Sequence, residues 1–232
     1  MHSTWSLFLR VLLYAHIACG SLAFVCAPVA LLTAKGGETH RRWGKIYFWS
    51  MAGVASTALI LSIVLPIVFL ALVAVFSFYA AFSAYRILYL KDLARGGPAQ
   101  WYDWAAAVIT FAASAALAGV GYFRPQLVPG TGVVAEVFGA LGMLIAGRSL
   151  ATFLWPPAEK QFWWYQHMAG MIGSYIAAVT AFVVVNLVPR FGNTWWLWLG
   201  PAMVGVPGSM LWQRYYRAKF CAKGTAVEVV AQ

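Results

Sequence analysis

Residues 161–186 read QFWWYQHMAGMIGSYIAAVTAFVVVN, and this stretch decides the fold. It is an apolar run long enough to cross the hydrocarbon core of a bilayer, which takes about 20 residues. One titratable side chain, His167, interrupts it. Because an ionisable group inside such a run is costly, it is by default a candidate functional residue. The stretch therefore predicts a membrane-spanning helix that carries part of a site.

The composition of the whole chain is typical of integral membrane proteins. Of 232 residues, 62% are hydrophobic and 9% are charged, whereas about 25% of the residues in soluble domains are charged. In a soluble protein the formal net charge of +10 would suggest a nucleic-acid partner. Here the basic residues follow membrane topology instead, so nucleic acid is excluded as a partner.

Seven apolar segments predict seven transmembrane helices in an all-α, polytopic bundle. Pro66 marks the predicted hairpin between the second and third helices, and Pro189 marks the predicted end of the sixth. The fourth helix is rich in alanine and is expected at the centre of the bundle, since small residues let helices approach closely. The chain is thus a single domain, 1–232, with a short cytoplasmic tail at 218–232. The predicted segments are residues 7–33, 45–64, 66–90, 101–123, 132–155, 161–186 and 194–215.

The basic residues predict the orientation of these helices. If seven helices alternate in direction, thirteen of the 16 lysines and arginines fall on one side of the membrane. By the positive-inside rule that side is the cytoplasm, which places the N-terminus outside and the C-terminus inside the cell. The expected location is the inner, cytoplasmic membrane, with the lipid bilayer as the first partner.

Four polar residues are predicted to meet near the inner face: His40, Asp103, Arg148 and His167. At a rise of about 1.5 Å per residue, His167 lies roughly 9 Å inside the sixth helix. On the same scale Arg148 lies roughly 6 Å from the end of the fifth. His40 comes from the first cytoplasmic loop, and Asp103 begins the fourth helix. This cluster is expected to bind a haem, a metal, a quinone or an anionic headgroup.

Candidate metal ligands extend beyond this cluster. Met171 follows His167 at i+4 on the same helix face, so an imidazole and a thioether can point at one site. His16 shares a stripe of the first helix with Cys19 and Cys26, for which packing of small residues is the alternative interpretation. The metal hypothesis therefore names His167, Met171 and His16.

A haem held by two histidines needs both at the same depth on facing helices. His16 and His167 differ by roughly 9 Å in depth, whereas His40 is level with His167 and is the better partner. The alternative for His167 is a structural hydrogen bond to Arg148, Asp103 or a backbone carbonyl. Both interpretations stay open at this stage.

The first cytoplasmic loop, at residues 36–45, is predicted to bind an anionic lipid or a phosphate. Gly36 and Gly37 permit a tight turn, Thr39 can cap the following helix, and basic residues continue up to Lys45. Backbone N–H groups at a helix N-terminus attract anions. A topology signal combined with a turn is the alternative.

Two further function classes remain beside a cofactor protein. A small-solute or ion pathway would be lined from outside to inside by His16, Glu136, Arg148 and His167. A structural scaffold would use none of these residues chemically. Serine-triad, Walker-loop and zinc-protease motifs are absent from the sequence, so no reaction or substrate is predicted.

Two groups of residues, one around the first loop and one in the sixth helix, carry a family resemblance. They are Lys35-Gly36-Gly37, His40, Gly44 and Tyr47-Phe48, followed by His167-Met168, Gly173-Ser174-Tyr175-Ile176, Thr180-Ala181-Phe182 and Asn186. On these residues the chain resembles a family of uncharacterised bacterial seven-helix membrane proteins of unknown function. The resemblance implies membership of that family and no particular chemistry.

Overall fold

The computed structural model describes residues 2–64, 68–128 and 132–230. Within these ranges the chain forms seven long α-helices and three short 3-10 helices, with no β-strand. The long helices are α1 His2–Leu32, α2 Glu38–Val64, α3 Val68–Arg86, α4 Trp101–Phe123, α5 Gly132–Leu154, α6 Phe162–Phe191 and α7 Trp195–Val230. The predicted all-α fold is therefore confirmed.

Six of these helices, α1 to α6, are long and apolar enough to cross a membrane. The seventh is long, but its first half combines four tryptophans with Pro201 and Pro207, which lower its mean hydropathy. Its second half carries most of the basic residues near the C-terminus. Six helices of this length and apolar composition indicate a multi-pass membrane protein.

The start of α2 differs from the prediction. The helix begins at Glu38, seven residues before the predicted start, because a turn at Gly36 reverses the chain at once. Gly36 has a φ of 78°, a conformation that favours glycine, and the Gly37 carbonyl already accepts the Arg41 N–H at 3.0 Å. Thr39 consequently lies inside the helix rather than capping it.

Two predicted helix ends are also corrected. Pro189 does not stop α6, which continues to Phe191 and ends at Gly192 with a φ of 77°. In the last turn a proline removes a single hydrogen bond, so the helix tolerates it there. At the C-terminus α7 runs on to Val230, so most of the predicted tail extends this helix. The hairpin predicted at Pro66 lies outside the described residues.

The centre of the bundle is α3 rather than α4. This helix packs against α2, α4, α5 and α6, whereas the main neighbours of α4 are α5 and α3. The small residues of α4 serve one close contact with α5 instead of contacts on all sides. The prediction that α4 is central is therefore wrong, because small residues indicate close approach but not the number of neighbours.

The contact between α4 and α5 has no spare room at Gly139. A Cβ atom added there would lie 2.6 Å from the Ala118 nitrogen and 2.6 Å from the Ser114 carbonyl oxygen, both backbone atoms. Gly147, on the same helix, has its nearest neighbour at 3.6 Å, an ordinary contact with the Phe111 ring. Of these two glycines, Gly139 is required by the close contact between α4 and α5, and Gly147 is not.

We expect Gly139→Ala to lower the free energy of unfolding by about 1–3 kcal/mol, because the two helices must move apart. Gly147→Ala is the matched control and should leave stability within about 0.5 kcal/mol of the wild type. Equilibrium unfolding in lipid–detergent micelles measures both variants. Equal stability of the two would contradict the close contact.

Candidate functional site

His40 lies in the first turn of α2 and is held by the end of α1. Its Nδ1 atom donates to the carbonyl oxygen of Ala30 at 2.9 Å. Ala30 is in the last turn of α1, where backbone carbonyls have no partner within the helix. The imidazole therefore satisfies a helix end and is oriented by it.

His167 lies in the second turn of α6 and is held in the same manner by α3. Its Nδ1 atom donates to the carbonyl oxygen of Ala84 at 2.8 Å, in the last turn of α3. A carbonyl only accepts, so Nδ1 carries the proton in both histidines. In the neutral form Nε2 is then an unprotonated acceptor on each ring, which is the state that binds a metal.

The structure brings these two imidazoles together. The ring centroids of His40 and His167 are 6.3 Å apart and the ring planes are inclined at 74°. Both side chains are half-buried. The two residues come from α2 and α6, and their Nδ1 atoms are anchored on α1 and α3. Four helices thus meet at this histidine pair.

A buried hydrogen bond joins the same two helices farther along. The Tyr47 hydroxyl and the Ser174 Oγ atom are 2.6 Å apart, and both side chains are buried. Ser174 donates its own proton to the Met171 carbonyl at 2.9 Å, so Tyr47 is the donor to Ser174. Tyr47 follows His40 by seven residues and Ser174 follows His167 by seven, about 10 Å along each helix. The histidine pair and the Tyr47–Ser174 hydrogen bond are therefore the same number of residues apart along α2 as along α6.

One basic side chain acts on the histidine pair, and two more follow His40 in the sequence. Arg41 and Arg42 follow His40 directly and are exposed, and Lys91 is near enough to His167 to act on it electrostatically. Lys35 differs from them, because its ammonium donates to the Ala30 carbonyl at 3.4 Å and to that of Leu31. Burial lowers the pKa of Lys35. Lys35 thus caps α1, while the arginines remain accessible.

Asp103 belongs to a separate polar cluster beside the histidine pair. Its carboxylate accepts from the Arg86 Nε atom at 2.7 Å and from the Nη2 atom at 2.9 Å. The backbone N–H of Gln100 donates to it at 3.0 Å, and the Asp103 side chain is 1% exposed. Its oxygens are occupied, so it links α3 to α4 rather than facing His40 or His167.

The other predicted site residues lie apart from the pair. Arg148 is exposed on α5. Met171 packs against the buried residues of α1, α2 and α3. On α1, His16 contacts the Thr57 hydroxyl of α2 at 2.9 Å. The described contacts therefore unite His40 with His167, but they do not join Asp103, Arg148, Met171 or His16 to them.

The sequence did not indicate several partners that the structure provides. The carbonyls of Ala30 and Ala84 could not be recognised from the sequence, because every residue has a backbone carbonyl. Only the fold decides which carbonyls at the helix ends lack a partner within the helix and accept from a side chain. Gln166 donates to Thr152 at 2.9 Å, an α6–α5 contact that was also missed. The Tyr47–Ser174 contact had a weak signal, since both residues follow a histidine by seven positions.

Comparisons with known proteins add no assignment. The chain matches no family model, no curated protein and no solved structure. The resemblance to seven-helix membrane proteins of unknown function therefore stays a prediction. Any function rests on the geometry of the histidine pair and its surroundings.

The buried Arg86–Asp103 pair gives a stability prediction. We expect Asp103→Ala to cost about 3 kcal/mol of unfolding free energy, because it leaves the largely buried Arg86 without its partner. Asp92→Ala removes an exposed pair, Asp92–Arg95, whose side chains are 70% and 73% exposed. It should cost less than about 1 kcal/mol. Unfolding in micelles compares the two, and similar losses would argue against a structural role for Asp103.

Proposed function

We propose that this protein is a haem-binding electron-transfer protein of the inner membrane, in which His40 and His167 would hold the haem iron and the haem would supply one-electron redox chemistry. One observation carries the proposal. Two imidazoles from different helices face each other with Nδ1 fixed on backbone carbonyls. That arrangement leaves both Nε2 atoms available, and a hydrogen bond on the other ring nitrogen is typical of metal-binding histidines.

The separation of the rings supports a shared metal. A transition metal binds an imidazole nitrogen at about 2.0–2.1 Å, so two rings that would share one ion must have centroids within roughly 6 Å of each other. The observed separation of 6.3 Å is in that range. The angle of 74° between the rings is also acceptable, because each imidazole can rotate about its own bond to the metal.

The number of ligands favours haem over a bare metal ion. Within the part of the chain that the structure describes, no group of three or more His, Cys, Asp or Glu residues could hold an ion. Structural zinc sites take four protein ligands and catalytic ones take three. A porphyrin supplies four nitrogens itself, so two histidines complete the iron. Met171 is engaged in packing and is not needed as a ligand.

The charges around the pair fit an anionic cofactor. Haem carries two carboxylates; Lys91 is an exposed cation that acts on His167, and Arg41 and Arg42 are exposed cations that follow His40 in the sequence. The same residues would contact an anionic lipid headgroup or a phosphate at the loop 36–45. A quinone would also find donors here, but it would not require two unprotonated Nε2 atoms. Haem would use both the two Nε2 atoms and the basic side chains.

The membrane topology supports an inner-face site. We propose seven spans, with the N-terminus outside and α7 as the last span. At about 1.5 Å per residue, the 36 residues of α7 extend about 54 Å. A hydrocarbon core of about 30 Å leaves the basic end of α7 in the cytoplasm. His40 and His167 then lie at the cytoplasmic ends of α2 and α6.

The pathway and scaffold hypotheses have less support. His16, Glu136, Arg148 and His167 lie on three different helices, α1, α5 and α6, and the hydrogen bonds of the two histidines go to Thr57 and Ala84. A scaffold needs no pair of imidazoles with both Nε2 atoms unprotonated. We therefore favour the cofactor function over a pathway or a scaffold.

The proposed haem is tested by visible absorption of the purified protein. We expect a Soret band in the wild type after expression with added haem, or after reconstitution in micelles. His40→Ala and His167→Ala should each lose most of it, because one axial ligand is removed. His16→Ala is the matched control and should keep the band, since His16 contacts Thr57 on α2.

Three outcomes would argue against this function. A colourless wild type that does not take up haem would exclude it. Retention of an unchanged spectrum in both His40→Ala and His167→Ala would exclude these ligands. Stoichiometric non-haem metal in the wild type, lost in both variants, would assign the pair to an ion instead.

The orientation is tested by reporter fusions. We expect green fluorescent protein fused after Gln232 to fluoresce, because it folds on the cytoplasmic side, and alkaline phosphatase at the same point to be inactive. A phosphatase fused near Pro125, in the loop between α4 and α5, should be active. The reverse pattern would contradict both the orientation and the inner-face location of the histidines.

A further inference from the structure

A cavity lies where α4 ends and where α5 and α7 begin, which is the opposite end of the bundle from the histidine pair. Its volume is about 650 Å³, within the range of about 300–1,000 Å³ that is usual for small-molecule sites. Its walls come from Tyr122 of α4, Glu136 of α5, and the segment from Asn193 to Trp196 at the start of α7. Three helix ends therefore surround one space.

Glu136 is the charged residue among the described residues that line this cavity. Its side chain is half-buried, and in the described part of the chain its carboxylate has no hydrogen-bond or ion-pair partner. A Cβ atom at Gly121 would lie 3.0 Å from the Glu136 Cγ atom, so the stem of the side chain lies directly against α4. A half-buried carboxylate without such a partner can act as the counter-ion of a bound cation.

Aromatic side chains supply the rest of the recognition. Tyr122, Trp195 and Trp196 line the cavity and stay 70%, 55% and 46% exposed, so their rings are accessible to a ligand. Aromatic faces attract ammonium groups, and several rings together form the usual cage for quaternary ammonium. A carboxylate with three aromatic rings is thus a set of groups that selects organic cations.

Other ligand classes fit less well. A divalent metal would find one carboxylate and, in the described residues, no group of three ligating side chains. An anion would meet Glu136 without a lining lysine or arginine. A neutral apolar molecule would bury the carboxylate and leave it without a partner. Only a cation with an apolar surface uses both Glu136 and the aromatic rings.

We propose that this cavity binds an organic ammonium group, with Glu136 as its counter-ion and Tyr122, Trp195 and Trp196 as its aromatic walls. The site is independent of the proposed haem, because it lies at the other end of the bundle. The ammonium belongs either to a free amine or to the headgroup of a phospholipid, since tryptophans at a span end lie at headgroup level. The two sources share the same chemistry.

The experiment measures binding of choline to the full-length protein in nanodiscs of phosphatidylglycerol, which has no ammonium. Equilibrium dialysis with labelled choline should give saturable binding. Glu136→Gln keeps the shape and removes the charge, and should weaken binding at least about tenfold. Glu38→Gln, an exposed glutamate at the start of α2, is the matched control and should leave the affinity unchanged.

A neutral analogue separates charge from shape. The compound 3,3-dimethyl-1-butanol has the form of choline with carbon in place of nitrogen, so it should not compete. Trp196→Leu provides a second variant that does not touch the carboxylate, and it should also weaken choline binding. Thermal unfolding of each variant shows that the bundle remains folded.

Nanodiscs of phosphatidylethanolamine distinguish the two sources. Weaker choline binding there would assign the cavity to a lipid headgroup, and unchanged binding would assign it to a free amine. The proposal is overturned if choline does not bind in phosphatidylglycerol, if Glu136→Gln binds as well as the wild type, or if the neutral alcohol competes equally.

Discussion

The requirement that every buried backbone carbonyl finds a donor is the constraint on which this structure depends. Where a helix ends inside the packed bundle, neighbouring helices keep water from its last carbonyls, so side chains must supply the donors. Here His40 serves the end of α1 and His167 serves the end of α3. The same hydrogen bonds fix the protonated nitrogen of each ring, so a structural need also prepares a possible ligand pair.

The bundle holds this pair through its central helix. Because α3 contacts α2, α4, α5 and α6, its last turn can present the Ala84 carbonyl to His167 and Arg86 to Asp103 within three residues. Tyr47 and Ser174 then tie α2 to α6 one layer deeper. The polar groups at this end of the bundle therefore form two clusters on the two sides of α3, and one of these, the histidine pair, has an unprotonated Nε2 atom on each neutral ring.

The two ends of the protein differ in charge and in chemistry. Lys91 acts on His167 and two arginines follow His40, whereas the cavity at the other end is lined by three aromatic rings and by Glu136, whose carboxylate has no partner among the described residues. This contrast follows the sequence, which places most lysines and arginines on one side of the alternating helices. We propose that the end with the histidine pair binds an anionic cofactor and that the cavity at the other end binds an organic cation.

The sequence alone determined the helical class and most span positions, because an apolar run of about 20 residues must be a helix in lipid. The bounds of the fourth helix were predicted without error and the fifth ends within one residue of the prediction. The depths estimated from the sequence also predicted that His40 is level with His167 and is its better partner. Only the tertiary structure showed that Arg148 is exposed, that the Asp103 carboxylate is paired with Arg86, and that Met171 packs in the core. Those outcomes depend on which face of each helix points toward its neighbours. The depth of a residue along a helix does not tell how the helix is rotated about its own axis, so the sequence estimate could not predict them.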